Sequence, residues 1–121
     1  ILDASAACHM PDVLEMPYTP PLMGAVIASQ DEGREAVKNK GVLCRLASRT
    51  CLAGDIIGDY VFEKCPNIGD ELVFEDMAIY SMVKNNTFNG MRLPDICILR
   101  EDGSFEKIRE FGYEDFKGRL S

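Results

Sequence analysis

The sequence contains no tryptophan, a single histidine and no Cys-x-x-C pair. Its five cysteines (Cys8, Cys44, Cys51, Cys65 and Cys97) are odd in number and widely spaced, and His9 has only Cys8 beside it. A structural zinc site needs closely spaced soft ligands, so no metal is expected, and the thiols read as the reduced thiols of a cytoplasmic protein. Long hydrophobic runs are missing too. An uncharged stretch such as Pro20 to Ser29 is too short, and too broken by proline and glycine, to span a bilayer. Basic residues are scarce: 13 Lys plus Arg stand against 20 Asp plus Glu, for a net charge of −7, and no Lys/Arg run occurs. That balance argues against a phosphate backbone as partner and leaves room for small or cationic ligands. No glycine pattern fits a P-loop or a dinucleotide fingerprint, and one histidine leaves little for a Ser-His-Asp arrangement.

What is present is the composition of one globular domain: 121 residues, 46% hydrophobic and 27% charged. The opening Ile1-Leu2-Asp3 reads as a strand entered in its middle, so a C-terminal piece of a longer protein is expected. Residues 1–7 read as that short strand. Four prolines between Met10 and Pro21 predict extended loop with one helical turn at Asp12–Met16. The charged stretch Ser29–Gly41 predicts a solvated loop or frayed helix, with weak helical character over Glu35–Lys40. Val42–Arg49 reads as a strand, Thr50–Val61 as a short helix or turn, and Tyr60–Lys64 and Glu71–Glu75 as strands. Asp102-Gly103 between two apolar runs predicts a hairpin of Pro94–Arg100 with Phe105–Glu110, and Tyr113–Leu120 an amphipathic helix. Short strands with frequent turns indicate a mainly β domain, a barrel or sandwich with a few short helices. Its expected core is Val42, Leu46, Ile56, Val61, Leu72, Phe74, Ile96, Ile98, Phe105 and Ile108.

Three places could carry chemistry. Cys51 and Asp55 are four residues apart and would share a face if the segment is helical. Cys51 would then stand at a helix N-terminus, where the dipole favours thiolate. An inert core thiol and a solvated helix charge are the alternatives. The run His9-Met10-Pro11-Asp12-Val13-Leu14-Glu15-Met16-Pro17-Tyr18 packs polar groups into a proline-stiffened loop, which suits a binding site or an ordinary surface loop. Tyr80, in Phe74-Glu75-Asp76-Met77-Ala78-Ile79-Tyr80, offers a neutral donor suited to a phosphate, or a buried ring at a strand-to-helix corner.

Taken together, Cys51 with Gly54-Asp55, the run Phe74–Tyr80 and Thr87-Phe88-Asn89-Gly90 resemble the C-terminal β-domain of the pyridoxal-phosphate decarboxylases of alanine-racemase-like fold. That group includes the ornithine and diaminopimelate decarboxylases. The two longer runs, His9–Tyr18 and Cys51–Tyr60, resemble its carboxynorspermidine/carboxyspermidine branch, and the likeness covers nearly the whole chain except Gly24–Gly41. The resemblance implies pyridoxal phosphate held on a lysine of an N-terminal (β/α)8 barrel that is absent from these residues. By itself the chain is then expected to be inactive. It further implies a homodimer with a shared active site and a carboxylated polyamine as substrate. By position, Cys51 resembles the catalytic cysteine that protonates the carbanion after carbon dioxide leaves, and Tyr80 resembles the tyrosine on the cofactor phosphate. Glu15, Asp55 and His9 look like substrate-binding residues, since a desolvated ammonium requires a carboxylate partner. Leu52 stands where the ornithine and diaminopimelate enzymes carry an acid, which suits a longer substrate read elsewhere. Ala47 and Ser48 depart from the family's glycines just before this segment. Another decarboxylase of the same fold, or a β-module that only binds or dimerises, remains the alternative.

Overall fold

The computed structural model describes residues 1–78 and 80–120. Its centre is an antiparallel sheet in which β3 (Ile56–Phe62) lies between β1 (Ala25–Ile27) and β2 (Val42–Ala47). The register sets Arg45 opposite Asp59, Cys44 opposite Tyr60 and Ala25 opposite Phe62, with an irregularity at Leu46/Ala47. With a strand paired along each edge, β3 buries Ile57, Tyr60, Val61 and Phe62, while its Asp59 stays partly exposed against Arg45.

One side of the core comes from the sheet, through Leu46, Ile57, Tyr60 and Phe62. The other comes from Ala6 and Val13 on two single-turn helices, α1 (Ala6–His9) and α2 (Asp12–Glu15), and from Met10 between them, with Leu22 as a further member. Tyr60 is fully buried, and its hydroxyl donates to the Pro20 carbonyl at 2.7 Å. Its ring meets Phe74 edge-on at 6.2 Å between centroids. The helix α3 (Asp31–Lys38) has Asp31 and Glu32 in its first turn and Lys38 in its last, which suits the helix dipole. It packs so tightly on β1 that an added Cβ at Gly33 would stand 2.2 Å from the Ile27 carbonyl oxygen. A one-turn helix, α4 (Tyr80–Val83), and a 3-10 turn at Phe88–Gly90 lead to a separate hairpin of β4 (Ile96–Leu99) and β5 (Phe105–Arg109), and α5 (Tyr113–Leu120) follows.

The expected helical turn after Met10, the strand at Val42, the hairpin around Asp102-Gly103 and the last helix all form. Gly103 closes the hairpin at φ +81°, a conformation glycine adopts without strain. Other expectations are corrected. Residues 1–7 are not a strand: Ser5 caps α1 by accepting from the Cys8 N–H, and this local bond starts a helix at Ala6. The charged stretch before Gly41 is an ordered helix, because it docks on β1 and β3 rather than standing free. Of the helix or turn expected from Thr50, residues 50–55 form the turn, and the strand expected at Tyr60–Lys64 begins earlier, as β3 at Ile56. Glu71–Glu75 contributes only the bridge Leu22–Phe74. Of the expected core, Leu46 and Val61 are buried, but Val42, Ile98, Phe105 and Ile108 are exposed. Alternation shows which side chains share a face of a strand, not whether anything covers that face. Among the described residues the strands form these two antiparallel sheets, with helices between them, and do not close into a barrel.

Candidate active site

The loop that joins β2 to β3 carries Cys51. Its ends are tied by Ser48 N–H to the Asp55 carbonyl at 3.0 Å, and it folds back through Asp55 N–H to the Leu52 carbonyl at 3.0 Å. The tip, with Cys51, Leu52 and Ala53, is exposed. Cys51 thus lies in a turn with no helix after it, so the expected helix dipole does not act on its thiol; what the fold provides instead is access.

Asp55 closes this loop from inside. Its side chain accepts from the Ser5 hydroxyl at 2.7 Å, from the Ala7 N–H at 3.1 Å and from the Thr50 hydroxyl, and the residue is only 3% exposed. Burial alone would raise the carboxyl pKa, but the bonds from Thr50, Ser5 and Ala7 outweigh it and hold the group below its ordinary range. The expected ammonium-facing carboxylate is therefore turned into its own chain.

His9 joins the same network. Its Nδ1 accepts from the Ser5 N–H at 3.1 Å, which makes Nε2 the protonated nitrogen, 2.9 Å from the Arg92 carbonyl. Both ring nitrogens are engaged by backbone.

On the other side of α1, Asn86 donates its side-chain amide to the Ala7 carbonyl at 2.8 Å and its backbone N–H to the Cys8 carbonyl at 3.0 Å. This fixes the segment after α4 against α1. Lys84 there bonds Glu15 at the end of α2 and stands 5.0 Å from the centre of the Tyr80 ring. The bond to Glu15 raises the Lys84 pKa. Tyr80 is 44% exposed, and its hydroxyl has no hydrogen bond among the described residues, so it is open to accept or donate to a bound group. Next to Glu15, Asp12 is buried and accepts from the Tyr18 hydroxyl at 2.6 Å; burial first, then that bond, pushes the Tyr18 pKa up to about 12.

The structure thus groups Asp55 with His9 around Ser5, and Glu15 with Tyr80 around Lys84, with α1 and α2 joining the groups. Reading the sequence did not single out Ser5, Thr50 or Lys84. Ser5 was legible as a helix cap three residues before Cys8, whereas Lys84 lies 69 residues from Glu15 and left no local signal. A hollow of about 1010 Å³ elsewhere is lined by Leu2, Cys44, Leu46, Cys65 and Phe74, and none of the expected site residues borders it. Among the described residues no three His, Cys, Asp or Glu side chains are placed to share a metal ion, and no helix is long and apolar enough to cross a membrane.

Comparison with known proteins gives the class first: the relatives are decarboxylases, and the chain is homologous from end to end to a part of them. No protein-family profile matches. A carboxynorspermidine/carboxyspermidine decarboxylase of Campylobacter jejuni is 43% identical over 98% of the chain, and one of Herminiimonas arsenicoxydans 37% identical over all of it. A carboxyaminopropylagmatine decarboxylase of Synechocystis is 47% identical over 99% of the chain. The crystal structure of Campylobacter jejuni carboxynorspermidine decarboxylase complexed with norspermidine superposes with a TM-score of 0.86 at 40% identity, covering 97% of this chain and 32% of that one. The chain spans only 29%, 32% and 30% of the three relatives' lengths.

Proposed function

We propose that the chain is the C-terminal β-domain of a carboxynorspermidine/carboxyspermidine-type decarboxylase of polyamine biosynthesis. In this reading its sheets belong to a larger β-barrel domain, and the whole enzyme is a cytoplasmic homodimer that shares residues between active sites. The observation that supports this most is end-to-end homology to such decarboxylases together with a close match in fold to one of them.

The residues present fit pyridoxal phosphate, since Tyr80 is exposed and its hydroxyl, unengaged among the described residues, is a neutral donor suited to a phosphate, while the cationic Lys84 lies over its ring. When bound, that cofactor supplies the sink for the electron pair released as carbon dioxide leaves. Cys51, presented at the tip of its turn, donates its Sγ proton to the carbon that carried the carboxylate. Glu15 faces a substrate ammonium when Lys84 yields its place, since both are cations competing for one exposed carboxylate. His9, with both nitrogens engaged, orders the wall on which the substrate lies, and Asp55 belongs to that wall from behind.

The test is Cys51→Ala in the full-length enzyme. A lost proton donor lowers kcat by about 10²–10⁴-fold and leaves KM nearly unchanged; normal turnover would show that Cys51 is an inert thiol. A second reading, a carboxylated aminopropylagmatine as substrate, is favoured by the Synechocystis relative's identity. The ratio of kcat/KM for the two substrate types on one enzyme decides between them.

A further inference from the structure

Asp55 is the most enclosed carboxylate of the site, yet nothing about a buried acid requires that its partners be these. One of them is Thr50, the residue immediately before Cys51. The others, Ser5 and Ala7, belong to the start of α1, about fifty positions away in the chain. Ser5 does three things at once. Its hydroxyl donates to Asp55, its Oγ accepts from the Cys8 N–H, and its backbone N–H donates to His9. The turn that carries Cys51 is therefore bolted to α1 at a single carboxylate, and α1 is held from its other side by Asn86. The turn's own backbone closure reaches Ser48, Leu52 and Asp55 but does not include Cys51. The bond from Thr50 is the one that ties the residue next to Cys51 to the carboxylate held by α1; without it, Cys51 is tied to Asp55 only through the Leu52 carbonyl on its other side.

We propose that Asp55 is a positioning residue for Cys51: by accepting from Thr50 on one side and from Ser5 and Ala7 on the other, it fixes the thiol's turn against α1. It does not itself touch substrate. A carboxylate suits this task because it accepts several bonds at once, and charge-assisted bonds in a buried setting are the strong ones. The proposal rests on the reading of Cys51 as proton donor, because a misplaced donor, unlike a misplaced core thiol, slows the chemical step.

The experiment uses the full-length enzyme with its cofactor. Thr50→Val removes the hydroxyl at nearly constant shape, Thr50→Ser retains it, and Asp55→Asn keeps the size of the side chain while losing its charge. Thr50→Val is expected to lower kcat about ten- to hundred-fold, as misplacement of a reacting group does, with KM within about twofold. Hydrogen exchange at the Ser48 and Asp55 amides should rise about tenfold or more in the same variant. Thr50→Ser should restore both, and adding Thr50→Val to Cys51→Ala should cost nothing further in kcat. Asp55→Asn is expected to follow Thr50→Val; should it fail to fold, the threonine pair still decides. Wild-type kcat in Thr50→Val overturns the proposal, as does a multiplicative loss in the double variant. A rise in KM at constant kcat in Asp55→Asn would mean that the carboxylate grips substrate after all. If Cys51→Ala turns over normally, the proton-donor reading is what fails, and the exchange measurement alone shows whether the carboxylate holds the turn.

Discussion

Two glycines in helices should respond to the same substitution with opposite signs. Replacing a helical glycine by alanine ordinarily stabilises by about 0.5–1 kcal/mol, because alanine has less backbone freedom to lose. Gly118, in α5, has nothing within 4 Å of an added Cβ, so Gly118→Ala should show that gain in full. Gly33, in α3, would place its Cβ 2.2 Å from the Ile27 carbonyl oxygen and 2.7 Å from the Ala28 Cα. An ordinary carbon–oxygen contact is about 3.3 Å, so roughly 1 Å of movement is required. The atoms in the way are backbone and cannot rotate aside. Ile27 is paired with Tyr60 in the sheet, and its carbonyl also accepts from the Gln30 N–H at 3.1 Å. The helix must therefore lift off β1. Overpacking of this kind costs about 1–3 kcal/mol, which exceeds the gain in propensity. The net expectation for Gly33→Ala is a loss of about 1–2 kcal/mol, equivalent to roughly five- to thirty-fold faster exchange of the α3 amides. For Gly118→Ala the α5 amides should exchange about two- to five-fold more slowly. Hydrogen exchange on the full-length protein, resolved by peptide, measures both without assuming that the whole protein unfolds in one step. If α3 in Gly33→Ala is as protected as in the wild type, or better, the close packing of α3 on β1 is wrong.

Tyr60→Phe keeps the ring contacts with Phe62 and Phe74 but leaves the Pro20 carbonyl without its donor. A loss of about 1–3 kcal/mol is expected by denaturant unfolding, and an unchanged midpoint would refute a buried bond there. Because the Asp55 pKa is held low, its stabilisation is complete above the ordinary aspartate value of about 4 and fades as pH falls through the lower folded value. The stability difference between wild type and Asp55→Asn should thus shrink from pH 6 towards pH 2, and a constant difference would contradict the linkage. Cys44 and Cys65 have sulfurs 3.9 Å apart. Oxidised glutathione in excess should join this pair before any other, taking two protons and two electrons and leaving as two thiols; peptide mapping that finds another bridge first would count against the placement of residue 65.

Much of the local structure was legible in the sequence because short-range chemistry produces it. Asp102-Gly103 makes a hairpin turn whatever surrounds it, and four prolines leave room after Met10 for a single helical turn. The runs around Cys51, Glu15 and Tyr80 were also legible as a decarboxylase pattern, and end-to-end homology agrees with it. The side-chain partners were not. Whether Asp55 faces a ligand or its own chain depends on Ser5, which is brought beside it only when β2, β3 and α1 pack together. Whether Phe105 and Ile108 are core depends on a layer to cover them, and their hairpin stands as a sheet of its own with both exposed. Gly33 carries no mark in the sequence of the carbonyl lying against it. Turn chemistry and strand alternation act over a few residues, so the sequence by itself determined them. Burial, charge pairing and close approach are set by neighbours distant along the chain, and only the tertiary structure decided those.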